Sequence, residues 1–249
     1  MSDLLELQMA MARHNLTLLR ENPYPGRGIV VGLDSTGEYL IQVYWIMGRS
    51  ENSRNRVFKA DNHTGRLYTE AADPSKVKDP SLIIYDAMLE RSPHFIVSNG
   101  NQTETVLKST RPLYLNTALA DRNYEPDAPN FTQRITAVSS LGHGMVYTQM
   151  SILRKSVFGE GCDRLLYEYV PAKGFGHYIS TYAGDGDPLP PFCGDPLLMP
   201  LDQGDMVEVA EDFWKALNEE NRVSLAVKFI EIGNGRSDIH IINKYNQAG

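Results

Sequence analysis

The densest chemistry in the sequence lies in Gly48-Arg-Ser-Glu-Asn-Ser-Arg-Asn-Arg56, where three arginines share one short segment with two serines and two asparagines. Guanidinium forks grip a phosphate monoester through paired N–H bonds, and hydroxyls or backbone N–H groups fill its remaining lone pairs. Arg49, Ser50, Arg54 and Arg56 are therefore candidate anion-binding residues. A solvated polar turn between two strands would use the same residue types, so this loop alone leaves both readings open.

Four other segments carry groups of interest. Phe95-Ile-Val-Ser-Asn-Gly-Asn-Gln-Thr-Glu-Thr105 reads as a strand running into a polar turn, which would hold Asn99 and Glu104 on a rigid support. Glu104 also suits the first turn of a helix, where the dipole favours an acid. Tyr85 closes the apolar run Leu82-Ile-Ile-Tyr85 and fits either a core ring or an acid. The Pro-rich stretch Tyr124-Glu-Pro-Asp-Ala-Pro-Asn-Phe-Thr-Gln-Arg-Ile135 delivers Arg134 to the start of a strand, and the alternation in His177-Tyr-Ile-Ser-Thr-Tyr182 places Tyr178, Ser180 and Tyr182 on one face.

Several signatures are missing. The sequence has no GxxxxGK[ST], no complete GxGxxG and no GxSxG. Its two cysteines, Cys162 and Cys193, form no CxxC pair, and the six histidines are scattered, so neither a structural zinc nor any other metal is expected. No cofactor motif is present. The Asn-x-Thr triplets at Asn15, Asn62, Asn101 and Asn130 read as chance matches.

The elements that must position these groups begin with an amphipathic helix. Leu5, Met9, Ala12, Leu16 and Leu19 recur at helical spacing, with Ser2 as N-cap and Asn22-Pro23 as the stop. Ile29 to Leu33 and Tyr39 to Met47 then form a hairpin through Asp34-Ser35-Thr36-Gly37. Further strands are expected at 67–69, 95–98, 134–138, 145–149, 165–170, 177–182, 224–232 and 239–242. Helices are expected at 80–90, from 106 through 110 and beyond, at 116–122 and at 207–219. Strands and helices do not alternate, which points to an α+β layered sandwich rather than a doubly wound sheet. The turn-rich segment Gly184 to Pro196 is long enough to be a lid, a contact surface or a plain insertion.

A chain of 249 residues with 42% hydrophobic residues can bury one large core. Its net charge of −7 argues against a general nucleic-acid surface, so any anion site is a local basic island. No run of residues is apolar enough to span a membrane, and the first 23 residues lack a secretory pattern. A cytoplasmic protein is expected. Self-association into a homo-oligomer is left open.

Taken in order, these segments resemble the archaeal-type inosine monophosphate (IMP) cyclohydrolases. The matching stretches are Gly26-Arg-Gly-Ile-Val-Val-Gly32, Arg49-Ser50 with Asn55-Arg56, Tyr85, Ser98-Asn-Gly100 with Thr103-Glu-Thr105, Tyr124-Glu125 with Arg134-Ile135, and Tyr178-Ile-Ser-Thr-Tyr182. The resemblance implies a four-layer αββα sandwich of two mainly antiparallel sheets, like that of the N-terminal-nucleophile hydrolases but used without their nucleophile. It divides the chain into a helical extension, 1–23, and a single domain, 24–249. The arginine loop is longer than in that family, and the first helix and the 184–196 segment look like additions.

The implied reaction is dehydrative closure of 5-formamidoimidazole-4-carboxamide ribonucleotide to IMP, with a purine ribonucleotide as the small-molecule partner and no cofactor. By matching position, the resemblance assigns Arg49, Ser50 and Arg56 to the phosphate or its neighbouring ribose, and the longer loop leaves open how Arg49, Arg54 and Arg56 share the phosphate. Tyr85 becomes the acid or oxyanion donor and Glu104 the base or orienter, with the two roles exchangeable. Asn99 and Arg134 would position the heterocycle or support that pair. Two other readings compete: an amide hydrolase on the same fold, which needs a free N-terminal Ser, Thr or Cys, and a non-catalytic purine-nucleotide-binding protein, which needs the arginines but not Tyr85 and Glu104.

Overall fold

A computed structural model describes residues 2–77, 80, 83–109, 111, 114–142, 144–202 and 204–245. The chain opens with helix α1, Ser2–Glu21. It buries Ala12, Leu16 and Leu19, one stripe of the expected apolar pattern, while Leu4, Leu7 and Met11 face outward. The side chain of Ser2, the expected cap, lies outside the described residues.

The expected hairpin follows as β1, Gly28–Leu33, and β2, Tyr39–Met47. Their turn is shaped by Asp34, whose carboxylate accepts from the N–H of Thr36 and of Tyr39. Both strands are buried on two faces, which is why they read as continuous apolar runs rather than as alternation. After the short helix α2, Glu51–Arg54, come β3, Val57–Asp61, and β4, Arg66–Glu70. Next are β5, Asp86–Arg91, β6, His94–Ser98, and helices α3, Gln102–Lys108, and α4, Leu115–Ala118. Strands β7, Arg134–Gly142, β8, Met145–Lys155, β9, Cys162–Tyr169, β10, Phe175–Ser180, and β11, Leu197–Pro200, lead to α5, Met206–Ala216. Strands β12, Arg222–Glu231, and β13, Ser237–Asn243, follow.

Two antiparallel sheets result. One has the order β11-β10-β1-β2-β12-β13, and the other runs β3 to β9 in chain order. Alternation along β2 shows how they stack. Tyr44 and Gln42 face the second sheet, with Tyr44 against Phe58 and the Gln42 amide donating to the Phe95 carbonyl at 3.2 Å. Trp45 faces away and stacks on Phe213 of α5. Helices α1 and α5 cover that outer face through β11, β12 and β13. On the far side α3 and α4 cover the second sheet, closing the small cluster of Ile96, Val106, Leu115, Leu119, Val138 and Leu153. The layer order is the αββα sandwich expected from the sequence.

The expected helix over 80–90 is corrected. Residues 86–91 form β5, hydrogen-bonded between β4 and β6, while residues 81 and 82 lie outside the described residues. Strands β3 and β11 were not anticipated. No helix among the described residues is long and apolar enough to cross a membrane.

Candidate functional site

One end of the sandwich gathers the start of β1, the end of β2, the end of β6 and the start of β7, as their registers require. Arg27, one residue before β1, is 9% exposed and forms a two-point ion pair with Glu125, at 2.9 Å for each N–H···O contact. It also donates to the Asn99 carbonyl at 3.1 Å, which ties the two sheets together. Burial alone would pull Arg27 down, but the Glu125 carboxylate outweighs it and holds the guanidinium well above its ordinary range. Gly26 precedes it with φ of +72°, and a Cβ there would lie 2.2 Å from the Thr181 hydroxyl, so glycine is needed for this entry.

Asn99 is a fully buried brace. Its amide donates to the Gln133 carbonyl at 2.8 Å, and its oxygen accepts from Ile135 N at 2.9 Å and from Gln102 at 2.8 Å. Arg134 donates to the Gln102 oxygen at 2.8 Å and stands 3.9 Å from Glu125. Burial lowers Arg134, with Glu125 opposing. Gly100 lets this guanidinium approach, because a Cβ there would meet it at 2.6 Å. Glu125 thus lies between two arginines on a floor fixed by side chains that bond to backbone.

Above this floor is a cavity of about 400 Å³. Its wall includes Arg27 and Glu125, the loop residues Arg49, Ser50, Asn52, Ser53 and Arg56, and Tyr24, Asp127, Thr132 and Tyr182. The loop takes its shape from α2, whose N-cap Ser50 accepts from Ser53 N while Ser53 returns a bond to the Ser50 backbone. Arg56 is 4% exposed and donates to the carbonyls of Ser53 at 2.8 Å and Met47 at 3.2 Å. No carboxylate pairs with it among the described residues. A buried guanidinium that borders a cavity without a counter-ion is a site for an anion. Burial raises Tyr24, against the pull of Arg56, Arg27 and Arg49, and pushes Tyr182 up to about 12.

Tyr85 is 6% exposed and stands outside the cavity lining, with its hydroxyl 2.7 Å from that of Tyr44. Burial, with Tyr85 adding to it, raises Tyr44 well above the ordinary phenol range. Ile83, just before it in the chain, reaches the cavity wall.

The residues expected from sequence therefore divide. Arg49, Ser50 and Arg56 are brought together at the cavity wall, Asn99 and Arg134 brace its floor, and Tyr85 stands outside the lining with its hydroxyl on Tyr44. Arg54 turns away. It donates to the Gly48 carbonyl at 2.9 Å and to Asn221 at 3.2 Å, on the opposite side of α2. Glu104 is a correction as well: its carboxylate pairs with Lys108 at 2.6 Å on α3, which packs on the outer face of the second sheet. The hydrogen bond and charge of Lys108 hold Glu104 below the usual carboxylate range. The sheet separates it from Tyr85, which points inward to Tyr44. The acids that line the cavity are Glu125 and Asp127.

Arg27, Glu125, Asp127, Thr132 and Tyr182 lay in stretches the sequence singled out, but received no role there; Tyr24 was not recognised. Among the described residues no group of three or more His, Cys, Asp or Glu side chains could hold a metal ion. The family described as IMP cyclohydrolase-like protein matches residues 24–235. No curated protein matches the chain.

Proposed function

Since the chain belongs to the IMP cyclohydrolase-like family, we propose that it closes the second ring of a purine ribonucleotide, converting 5-formamidoimidazole-4-carboxamide ribonucleotide to IMP with loss of water. The observation that carries this reading is Arg56, a buried cation at the cavity wall that no carboxylate pairs with among the described residues. A phosphate monoester held by Arg56 and Arg49, with Ser50 and Ser53 beside them, supplies the missing charge.

The anchored nucleotide then projects its heterocycle toward Arg27, Glu125 and Tyr85. Ring closure needs the carboxamide nitrogen to attack the formyl carbon, and amide resonance makes that nitrogen a weak nucleophile. Holding the two groups in contact removes much of the entropic barrier. The Glu125 carboxylate accepts an N–H of the carboxamide and orients it; locked between two guanidinium groups, it is a stronger orienter than base. As the nitrogen–carbon bond forms, the formyl oxygen gains charge beside Arg27 and takes a proton from Tyr85. The resulting hydroxyl leaves as water when the ring becomes aromatic. Proton loss from the carboxamide nitrogen is concerted with attack and restores the proton of Tyr85, and the departing hydroxyl takes its proton from the formamido nitrogen, so no strong base is needed.

An ultraviolet assay of this cyclisation tests the proposal. The expected result is turnover of the formamido ribonucleotide far above the spontaneous rate. Binding of IMP with no acceleration would instead identify a nucleotide-binding module. Arg56→Ala should raise KM by tenfold or more, about the worth of one charge-assisted pair, and leave kcat within a few-fold.

A further inference from the structure

Arg49 differs from Arg56 in one respect that the proposed chemistry does not use: it already carries an anion. Its Nη1 donates to the Asp185 carboxylate and, at 3.0 Å, to the Gly186 carbonyl. Asp185 belongs to the turn-rich segment after β10. An exposed ion pair of this kind contributes little to stability, so its interest lies in where the carboxylate is fixed.

The fixing is thorough. The Asp185 carboxylate also accepts from Gly186 N at 3.0 Å. The Arg49 guanidinium lies over the Tyr24 ring, 5.0 Å from its centroid, and Tyr24 stacks on Tyr182. Both ends of the 183–190 segment are held. Ala183 N donates to the Pro190 carbonyl at 2.9 Å, Asn22 donates to the Ala183 carbonyl at 2.9 Å, and Leu189 N donates to Asn130 at 3.2 Å. Leu189 and Asn130 line the same cavity as Arg49 and Arg56. A negative charge is thereby fixed on Nη1 of an arginine that lines the cavity, while Asp185 itself stands outside the lining.

The charges of the wall are nearly balanced without a ligand. Glu125 offsets Arg27, and Asp185 offsets Arg49. The remaining carboxylate, Asp127, accepts from Thr132 N at 2.7 Å. Among the described residues Arg56 is then the guanidinium of the wall without a carboxylate partner, and with the unbonded edge of Arg49 it suits a single phosphate group. Building on the phosphate site proposed above, we infer that Asp185 is a specificity-determining residue: it admits a nucleoside 5′-monophosphate and rejects nucleotides that carry a second or third phosphate. A further phosphate that continues past Arg49 would approach the Asp185 carboxylate bound to that residue's Nη1. Like charges at such range cost about tenfold or more in affinity, and a repulsive group is how a site rejects a near relative of its ligand.

Calorimetric titration of IMP and the corresponding 5′-di- and triphosphate tests this, with wild type and Asp185→Asn compared at fixed ionic strength in EDTA. Asparagine keeps the size and the acceptor for Arg49 while removing the charge. The wild type should prefer the monophosphate by about tenfold or more over the diphosphate, and Asp185→Asn should narrow that ratio by about tenfold. The narrowing should shrink as salt is added. An unchanged ratio in Asp185→Asn, or an equal gain for all three ligands, overturns the inference while leaving the phosphate site intact. Failure of the wild type to bind IMP, or of Arg56→Ala to weaken it, overturns the phosphate reading itself and the inference with it.

Discussion

Glu125 is 3% exposed and offers its carboxylate to Arg27 and Arg134 together. Removing its charge would strand a buried guanidinium, and breaking a buried pair from one side costs about 3–5 kcal/mol. Glu125→Gln should lower stability by that order in urea denaturation and reduce turnover in the cyclisation assay. Glu104→Gln removes only an i,i+4 pair on the helix surface, worth about 0.5 kcal/mol, and should leave turnover within about twofold. This contrast separates the two acids cleanly. Tyr85→Phe removes one donor from the developing oxyanion and should cost about a hundredfold or more in kcat with little change in KM. At this scale the sequence was legible where the residue type itself announces the chemistry, as in Arg49 and Arg56. It misled over Glu104 because a helical first turn explains an acid without any ligand. Glu125 lay in a segment valued for delivering Arg134, and its partner Arg27 is 98 positions away in the chain.

Elements decide which of these side chains can meet. The β1–β2 hairpin was legible because its β-branched and aromatic runs flank an Asp-Ser-Thr-Gly turn, and local chemistry alone fixes both. Strand β5 was not. Tyr85-Asp-Ala-Met-Leu-Glu90 contains good helix formers, and its extended form comes from pairing with β4 and β6, which no local pattern reports. That pairing matters to the site, since it carries Tyr85 to the inner face and leaves α3, with Glu104, on the outer one. Helix α1 poses the opposite case: its period was evident, but the buried stripe is only part of its apolar surface. Leu16→Ala should destabilise the protein by about 2–5 kcal/mol, because a buried methyl-rich side chain against β11 and α5 is lost. Leu7→Ser, at a position 61% exposed, should change stability by less than about 0.5 kcal/mol. Equal effects in thermal melts would mean that α1 packs by a different face.

Across the whole molecule, the two sheets are joined by polar and aromatic contacts as well as by apolar packing. Lys228 of β12 is fully buried and donates to the Gly65 carbonyl at 2.7 Å and to Glu90 on the opposite sheet. At another position His177 of β10 stacks on Tyr169 of β9, with ring centroids 3.6 Å apart. Neither contact was legible, because Lys228 and Glu90 lie far apart in the chain and His177 and Tyr169, on consecutive strands, belong to different sheets, whereas the layered α+β plan follows from local strand and helix signals. The histidine gives the fold a pH dependence with a defined sign. Burial lowers His177 from 6.5 to about 4, so the folded protein holds it neutral where the unfolded chain begins to protonate it. Its contribution is complete above pH 6.5, declines as pH falls from there, and is gone below about pH 4. Each pH unit inside that window costs about 1.4 kcal/mol, so lowering the pH from 7 to 5 should remove about 2 kcal/mol. His94 of β6 is lowered by burial and by Arg91, and it acts in the same direction. His177→Phe keeps a ring against Tyr169 without a titrating nitrogen. Urea titrations at pH 7 and pH 5 should show a smaller loss in His177→Phe than in the wild type, by most of that 2 kcal/mol or so; identical losses would place the acid sensitivity elsewhere.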